Sequence, residues 1–172
     1  ALAGRDAAFD KPFYRLVYGD SDMLPGIVVD RFGDYLVVQF NNEGIERYRE
    51  PLLAALVEQL QPRGILLRGD SRSRREQGLA GGAEVVYGEV PEQVPLEENG
   101  VRFLAPVHGG QKTGWFYDHR MSRARLAAWV GGKSVLDVYS YIGGWGIQAA
   151  AFGASAVCCL DSSAQALEGV MA

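Results

Sequence analysis

Little in this chain invites metal or redox chemistry. Of its 172 residues only two are histidine and two are cysteine, and His108, His119, Cys158 and Cys159 show no zinc-ligand spacing. The adjacent cysteines sit in an apolar stretch and are expected to be buried strand thiols of a reducing compartment, not a disulfide framework. No apolar run approaches the roughly 20 residues needed to cross a bilayer, and no charged-then-apolar leader opens the chain. A membrane partner is therefore not expected, and a cytoplasmic place is. The chain begins at Ala1 and not at methionine, which predicts an upstream segment. A strong charge of one sign is missing too: the net charge of −4 speaks against wholesale nucleic-acid binding.

The charge is unevenly spread, however. Every basic residue of 93–172 falls between Arg102 and Lys133, where Asp118 is the only acid, and Arg68, Arg72, Arg74 and Arg75 crowd one short stretch. Arginines of that kind suit bidentate contact with RNA phosphates on one face of a protein.

Two organisational units and no internal repeat follow from the patterning. GIVVDRFGDYLVVQF (26–40) contains two β-rich runs about a Gly-Asp turn, a hairpin signal. Helical spacing of apolar residues runs from Ile45 to Leu60 and ends at Pro62 and Gly64. GILLR (64–68) and AEVVYG (83–88) are strands on either side of the arginine-rich loop. Strand, strand, helix, strand, strand predicts a small α+β domain over 1–92. A second hairpin turns at Asn99-Gly100, a strong tight-turn pair. A helix over about Asp118–Val130, a strand SVLDV, a helix over 145–152, a strand SAVCCLD and a helix from 163 follow. Alternating strands and helices predict a doubly wound parallel sheet over 93–172. The expected class is α/β.

VLDVYSYIGGWG (135–146) is the most informative stretch: a strand ends in a carboxylate, and glycines stand at 143, 144 and 146. A dinucleotide loop needs G-x-G-x-x-G, and Tyr141 occupies one of its glycine places when Gly143 and Gly146 take the other two. An S-adenosylmethionine (SAM) loop has no pyrophosphate to cradle and tolerates side chains there. Asp161 closes the next strand, 24 residues after Asp137, where a carboxylate would accept both ribose hydroxyls. The plainer alternative is that both acids cap the helices behind their strands. In KTGWFYDHR (112–120), Trp115 and Tyr117 offer flat faces to an adenine or a base, and Asp118 is a good N-cap. Lys112 and Arg120 suit a ligand carboxylate at that helix start. Trp115 and Phe116 can equally be core residues.

Three stretches, LPGIVVDRFGDYLVVQ (24–39), GGQKTGWFYDHR (109–120) and VLDVYSYIGGWG with CLDSSAQAL (159–167), resemble the class I RNA methyltransferases that form 5-methylcytosine in bacterial large-subunit ribosomal RNA. Those enzymes string together a PUA domain, a small α+β middle domain and a Rossmann-like SAM-methyltransferase domain. The resemblance implies that this chain holds the middle domain and the first half of the catalytic one. It implies a SAM site built from Asp137, Ser140, Gly143 and Gly144, from Asp161 and Ser162 at the ribose, and from Lys112, Thr113, Tyr117, Asp118 and Arg120. Ribosomal RNA is then the partner. His119 and Ile142 depart from the family pattern, which usually has Gln and Thr there. The family's catalytic cysteine lies further along its chains, so no catalytic residue is assigned, and the chain alone is expected to be inactive and to self-associate. The rival readings are a dinucleotide-dependent oxidoreductase and a non-catalytic RNA-binding module.

Overall fold

A computed structural model describes residues 1–79 and 81–171, apart from the side chains of Arg72, Ser73 and Met171. The chain divides into two compact units. The first holds Ala1–Leu96 and Leu104–Trp115, the second Glu97–Phe103 and Phe116–Ala172. The boundary expected after residue 92 is thus displaced, and the chain returns to its first unit once. The physical reason is hydrogen bonding: Thr113 donates to Asp30, and Arg68 donates to the carbonyls of Val107 and Gly110.

In the first unit, β1 (Phe13–Tyr18), β2 (Ile27–Phe32), β3 (Tyr35–Phe40), β4 (Gly64–Arg68) and β5 (Ala83–Gly88) form one sheet in that order. All neighbours are antiparallel except β3 and β4. The parallel pair requires a crossover, supplied by α2 (Glu43–Glu46) and α3 (Arg49–Leu60). One helix was expected there, and two are found. Pro51 cannot donate to the Arg47 carbonyl and its ring crowds that group, so a continuous helix fails at this point. α2 starts instead from Asn42, whose side chain accepts the Ile45 N–H, and α3 ends at Gln61 in the left-handed region with Pro62 behind it. α1 (Leu2–Ala8) and β1 extend the unit beyond the five expected elements, and α4 (Arg72–Glu76) stands where a loop was expected.

Strand alternation gives this sheet two buried faces. Val29, Val38, Ile65 and Leu67 share one with α3, against which Leu53, Leu56 and Leu60 pack. Asp30, Val37, Leu66 and Arg68 share the other, which the 104–115 segment covers. Asp30 is fully buried and accepts both Nε and Nη2 of Arg15 at 2.8 and 2.9 Å, so a polar anchor sits where an apolar residue would otherwise be.

β6 (Val94–Glu98) and β7 (Val101–Ala105) are the expected hairpin, and its tip belongs to the second unit. In that unit β8 (Ser134–Val138) and β9 (Ala156–Leu160) are parallel, with Ser134 opposite Ala156 and Val138 opposite Leu160. α6 (Gly146–Ala151) links them and α7 (Ala164–Met171) follows. Val135, Asp137, Val157 and Cys159 alternate onto the face that carries these helices. Leu136, Val138 and Leu160 stand on the other and are 64%, 44% and 55% exposed. Cys158 shares that open face and Cys159 is half-buried, which corrects the expectation of two buried thiols. The helix expected over 118–130 is a 3-10 turn (Tyr117–His119), a short α5 (Arg120–Ala124) and a second 3-10 turn (Arg125–Ala128). Among the described residues no helix is long and apolar enough to cross a membrane.

Candidate cofactor site

The loop after β8 is built from unusual backbone. Tyr139, Tyr141 and Gly143 have φ of 61°, 52° and 73°. A tyrosine in the left-handed region is costly, and such residues persist mainly where surrounding structure fixes them. Here two hydrogen bonds do so: Tyr141 N–H donates to Asp161 Oδ2 at 2.8 Å, and Ser140 N–H donates to the Leu160 carbonyl at 3.1 Å. The loop is therefore pinned to the end of β9, which brings the two acids of the sequence pattern to the ends of adjacent strands.

Asp137 is nearly buried, and its Oδ2 accepts the Gly146 N–H at 2.9 Å. Burial raises its carboxyl above the usual range, against the pull of that N–H and of the Arg123 charge. Gly146 is needed for this approach, because a Cβ there would lie 2.5 Å from Cys159 Sγ. Asp161 is shifted the opposite way. The N–H groups of Ser163, at 2.9 Å on Oδ1, and of Tyr141 hold its carboxyl below the usual range. Each acid thus ties down backbone as the plainer reading expected. A carboxylate offers about four acceptor sites, though, so Asp161 retains capacity for ligand hydroxyls.

Ser140 is buried, and its hydroxyl has no hydrogen-bond partner among the described residues. A buried hydroxyl left in that state is costly unless a ligand group completes it. This orphaned oxygen, the acceptor capacity of Asp161 and the tight Gly143–Gly144 bend fit a hydroxyl- and amine-bearing ligand such as SAM. Ser162 is exposed beside them. Tyr117 is buried with the Arg120 guanidinium 5.4 Å from its ring centre, so no open face is offered to a base, and Trp115 is a core residue of the first unit. Asp118 is exposed and makes no side-chain cap to the helix that follows. Lys112 and Thr113 belong to the first unit; Lys112 is exposed with φ of 50°, and Thr113 is buried on Asp30.

Of the phosphate-binding candidates, Arg68 and Arg74 are buried and held by internal partners. Arg68 pairs with Asp70 and the two carbonyls already named, and Arg74 with Glu46 and the Phe40 carbonyl. Those two expectations are corrected by burial: their guanidinium groups do not present a surface to RNA. Arg75 is exposed. The side chain of Arg72 lies outside the described residues.

One group of functional interest was missed by sequence reasoning. Buried Glu98, Arg123 and Gln148, with half-buried Asn99, form a polar cluster beside this loop in the second unit. A signal did exist: in VPLEE the buried positions are Val94, Leu96 and Glu98, so the strand alternation points an acid inward.

A strand ending in an acid, a glycine bend and a second acid on the neighbouring strand fit the pattern of SAM-dependent methyltransferases, and comparison with known proteins places the chain in that class. A family model described as S-adenosylmethionine-dependent methyltransferase matches residues 50–170, and the chain belongs to that family. The chain is 42% identical over 156 residues to a ribosomal RNA large subunit methyltransferase I from Shewanella denitrificans, covering 90% of this chain and 39% of the relative. To a protein of that name from Tolumonas auensis it is 40% identical over 174 residues, covering 98% and 44%. It therefore spans about two fifths of the length of the curated relatives it matches. Among solved structures, a protein described as a methyltransferase and complexed with SAH superposes with a TM-score of 0.83 at 26% identity, covering 98% of this chain and 43% of that one.

Proposed function

We propose that this chain supplies the SAM-binding part of an enzyme that methylates a cytosine at carbon 5 in large-subunit ribosomal RNA. The observation that carries the cofactor half of this reading is the loop geometry: Asp137 and Asp161 at the ends of parallel neighbours, with the unpartnered Ser140 hydroxyl between them. The substrate half is supported by the names of the relatives and by the three stretches that resemble the cytosine-C5 enzymes. In this reading Asp161 accepts the ribose hydroxyls, Ser140 Oγ completes a polar contact to the ligand, and Asp137 holds the head of α6 in place. Bound SAM supplies an electrophilic methyl group on its sulfonium. The first unit acts as an RNA-facing domain to which Arg72 and Arg75 contribute, and the enzyme works in the cytoplasm on ribosomal RNA.

Methylation at carbon 5 requires a nucleophile adding at carbon 6, a task suited to a thiolate. Neither cysteine here is suited to it. Burial and the neighbouring Asp137 charge push the Cys159 thiol up, away from the thiolate, and Cys158 lies on the opposite face of β9. We therefore assign the nucleophile to neither.

Calorimetric titration with SAH and with NAD tests the cofactor reading, with SAH binding expected and NAD binding overturning it. Labelled SAM and large-subunit RNA with the whole enzyme to which this chain is proposed to contribute, followed by nucleoside mass spectrometry, tests the substrate. The expected product is 5-methylcytidine, and a different methylated nucleoside would reject the cytosine assignment.

A further inference from the structure

We propose that Glu98, at the tip of the β6–β7 hairpin, is a positioning residue of the SAM site. It holds α5 and α6 together and thereby sets the Asp137–Gly146 contact at the cofactor loop. This rests on the cofactor reading above and deepens it.

Glu98 is almost fully buried and is shared by three elements of the second unit. Its Oε1 accepts Arg123 Nε from α5 at 2.7 Å and Gln148 Nε2 from α6 at 3.0 Å, while Arg120 Nε lies 3.5 Å from Oε2. The neighbouring Asn99 closes the circuit. Its Nδ2 donates to Gln148 Oε1 at 2.8 Å and to the Arg120 carbonyl at 3.1 Å. Arg123, itself buried, also donates to the Phe116 carbonyl. Every link is a charged or amide group with little alternative, because a buried carboxylate left without its donors is strongly disfavoured. Such a closed circuit leaves α5 and α6 with one relative placement.

That placement matters to the site because Gln148 lies two residues beyond Gly146. The Gly146 N–H is the donor to Asp137, and Gly146 packs so near Cys159 that a Cβ there would lie 2.5 Å from its Sγ. A shift of α6 by a few tenths of an ångström therefore loosens the Asp137 contact and the 139–146 loop that depends on it. Glu98 touches no ligand in this scheme. It acts through Gln148 and α6, much as outer-shell groups fix the ligands of a bound metal.

The test is Glu98→Gln, with SAH affinity measured by calorimetry at a temperature where circular dichroism shows the variant fully folded. The Gly146 amide resonance is followed in parallel. A role limited to stability leaves both unchanged under those conditions. The expected result is an SAH affinity lower by about tenfold, the size of one lost charge-assisted hydrogen bond, together with a displaced Gly146 amide. If Glu98→Gln does not fold, Gln148→Leu keeps the Glu98–Arg123 pair and releases only α6, with a loss of about threefold expected. Unchanged affinity in the folded variant overturns the proposal, as does lost affinity with an unmoved Gly146 amide. Failure of the unaltered protein to bind SAH is a separate result that overturns the cofactor reading, and the role of Glu98 with it.

Discussion

The five-stranded sheet of the first unit and the β8–β9 sheet of the second are made from similar residues and finished differently. β4 of the first unit is buried at all five positions, with α3 on one face and the 104–115 segment on the other. β8 and β9 of the second unit are covered by helices on one face, while Leu136, Val138 and Leu160 face outward on the other. The same strand patterning, apolar on both sides, thus stands for a closed core in one place and an open surface in the other. Parallel strands are ordinarily buried on both faces, so the bare one is where association is expected.

Substitutions can sharpen or break this contrast. The largest effect is expected at the polar anchor of the closed sheet. Asp30→Ala leaves Arg15 and Thr113 without their carboxylate and should cost about 3–5 kcal/mol in urea unfolding, the range for a broken buried pair. A loss under 1 kcal/mol would mean that the anchor is not what holds the covering segment. Matched truncations come next. Leu66→Ala should cost about 2–5 kcal/mol, whereas Leu136→Ala on the open sheet should stay within about 0.5 kcal/mol and reduce binding of an apolar dye. Equal costs at the two sites would erase the distinction. Gly146→Ala is expected to cost about 1–3 kcal/mol through overpacking against Cys159, with a weaker SAH complex, both measurable by thermal melts with and without ligand.

The smallest effect is the pH signature of the two acids in the second unit. The Asp161 pKa is lowered on folding, so its contribution to stability is present above the unfolded carboxylate pKa and lost as pH falls through the folded one. The Asp137 pKa is raised, so its contribution is present below the unfolded pKa and lost as pH rises through the folded one. Carboxyl carbon resonances should accordingly titrate on opposite sides of about 3.9, the ordinary aspartate value. A common midpoint would refute the environments described for the two acids.

Elements with strong periodicity were legible in the sequence. The 26–40 hairpin, GILLR, the Asn99-Gly100 turn and the strand–helix–strand around Asp137 stand where expected. Local pattern did not reveal β1, whose Tyr14 and Leu16 alternate over too short a stretch beside an ion-paired Arg15. Nor did it reveal the break at Pro51, although proline's missing donor was readable in advance. Within the site, the acids and glycines were visible because their spacing is local. The burial of Arg68 and Arg74 and the Glu98 cluster were not, since each depends on partners 25 to 50 residues away.

The return of Leu104–Trp115 to the first unit bears on how this protein is made. A ribosome delivers residues in order at about 5–20 per second, and domains ordinarily fold as they emerge. Here the five strands are complete by Gly88, yet the groups that cap Arg68 and bury Asp30 arrive only with Val107, Gly110 and Thr113. The nascent sheet must wait with two charged side chains on an unfinished face while the hairpin is synthesised. Cutting the gene after residue 92 to obtain a stand-alone domain would leave it in that waiting state for good.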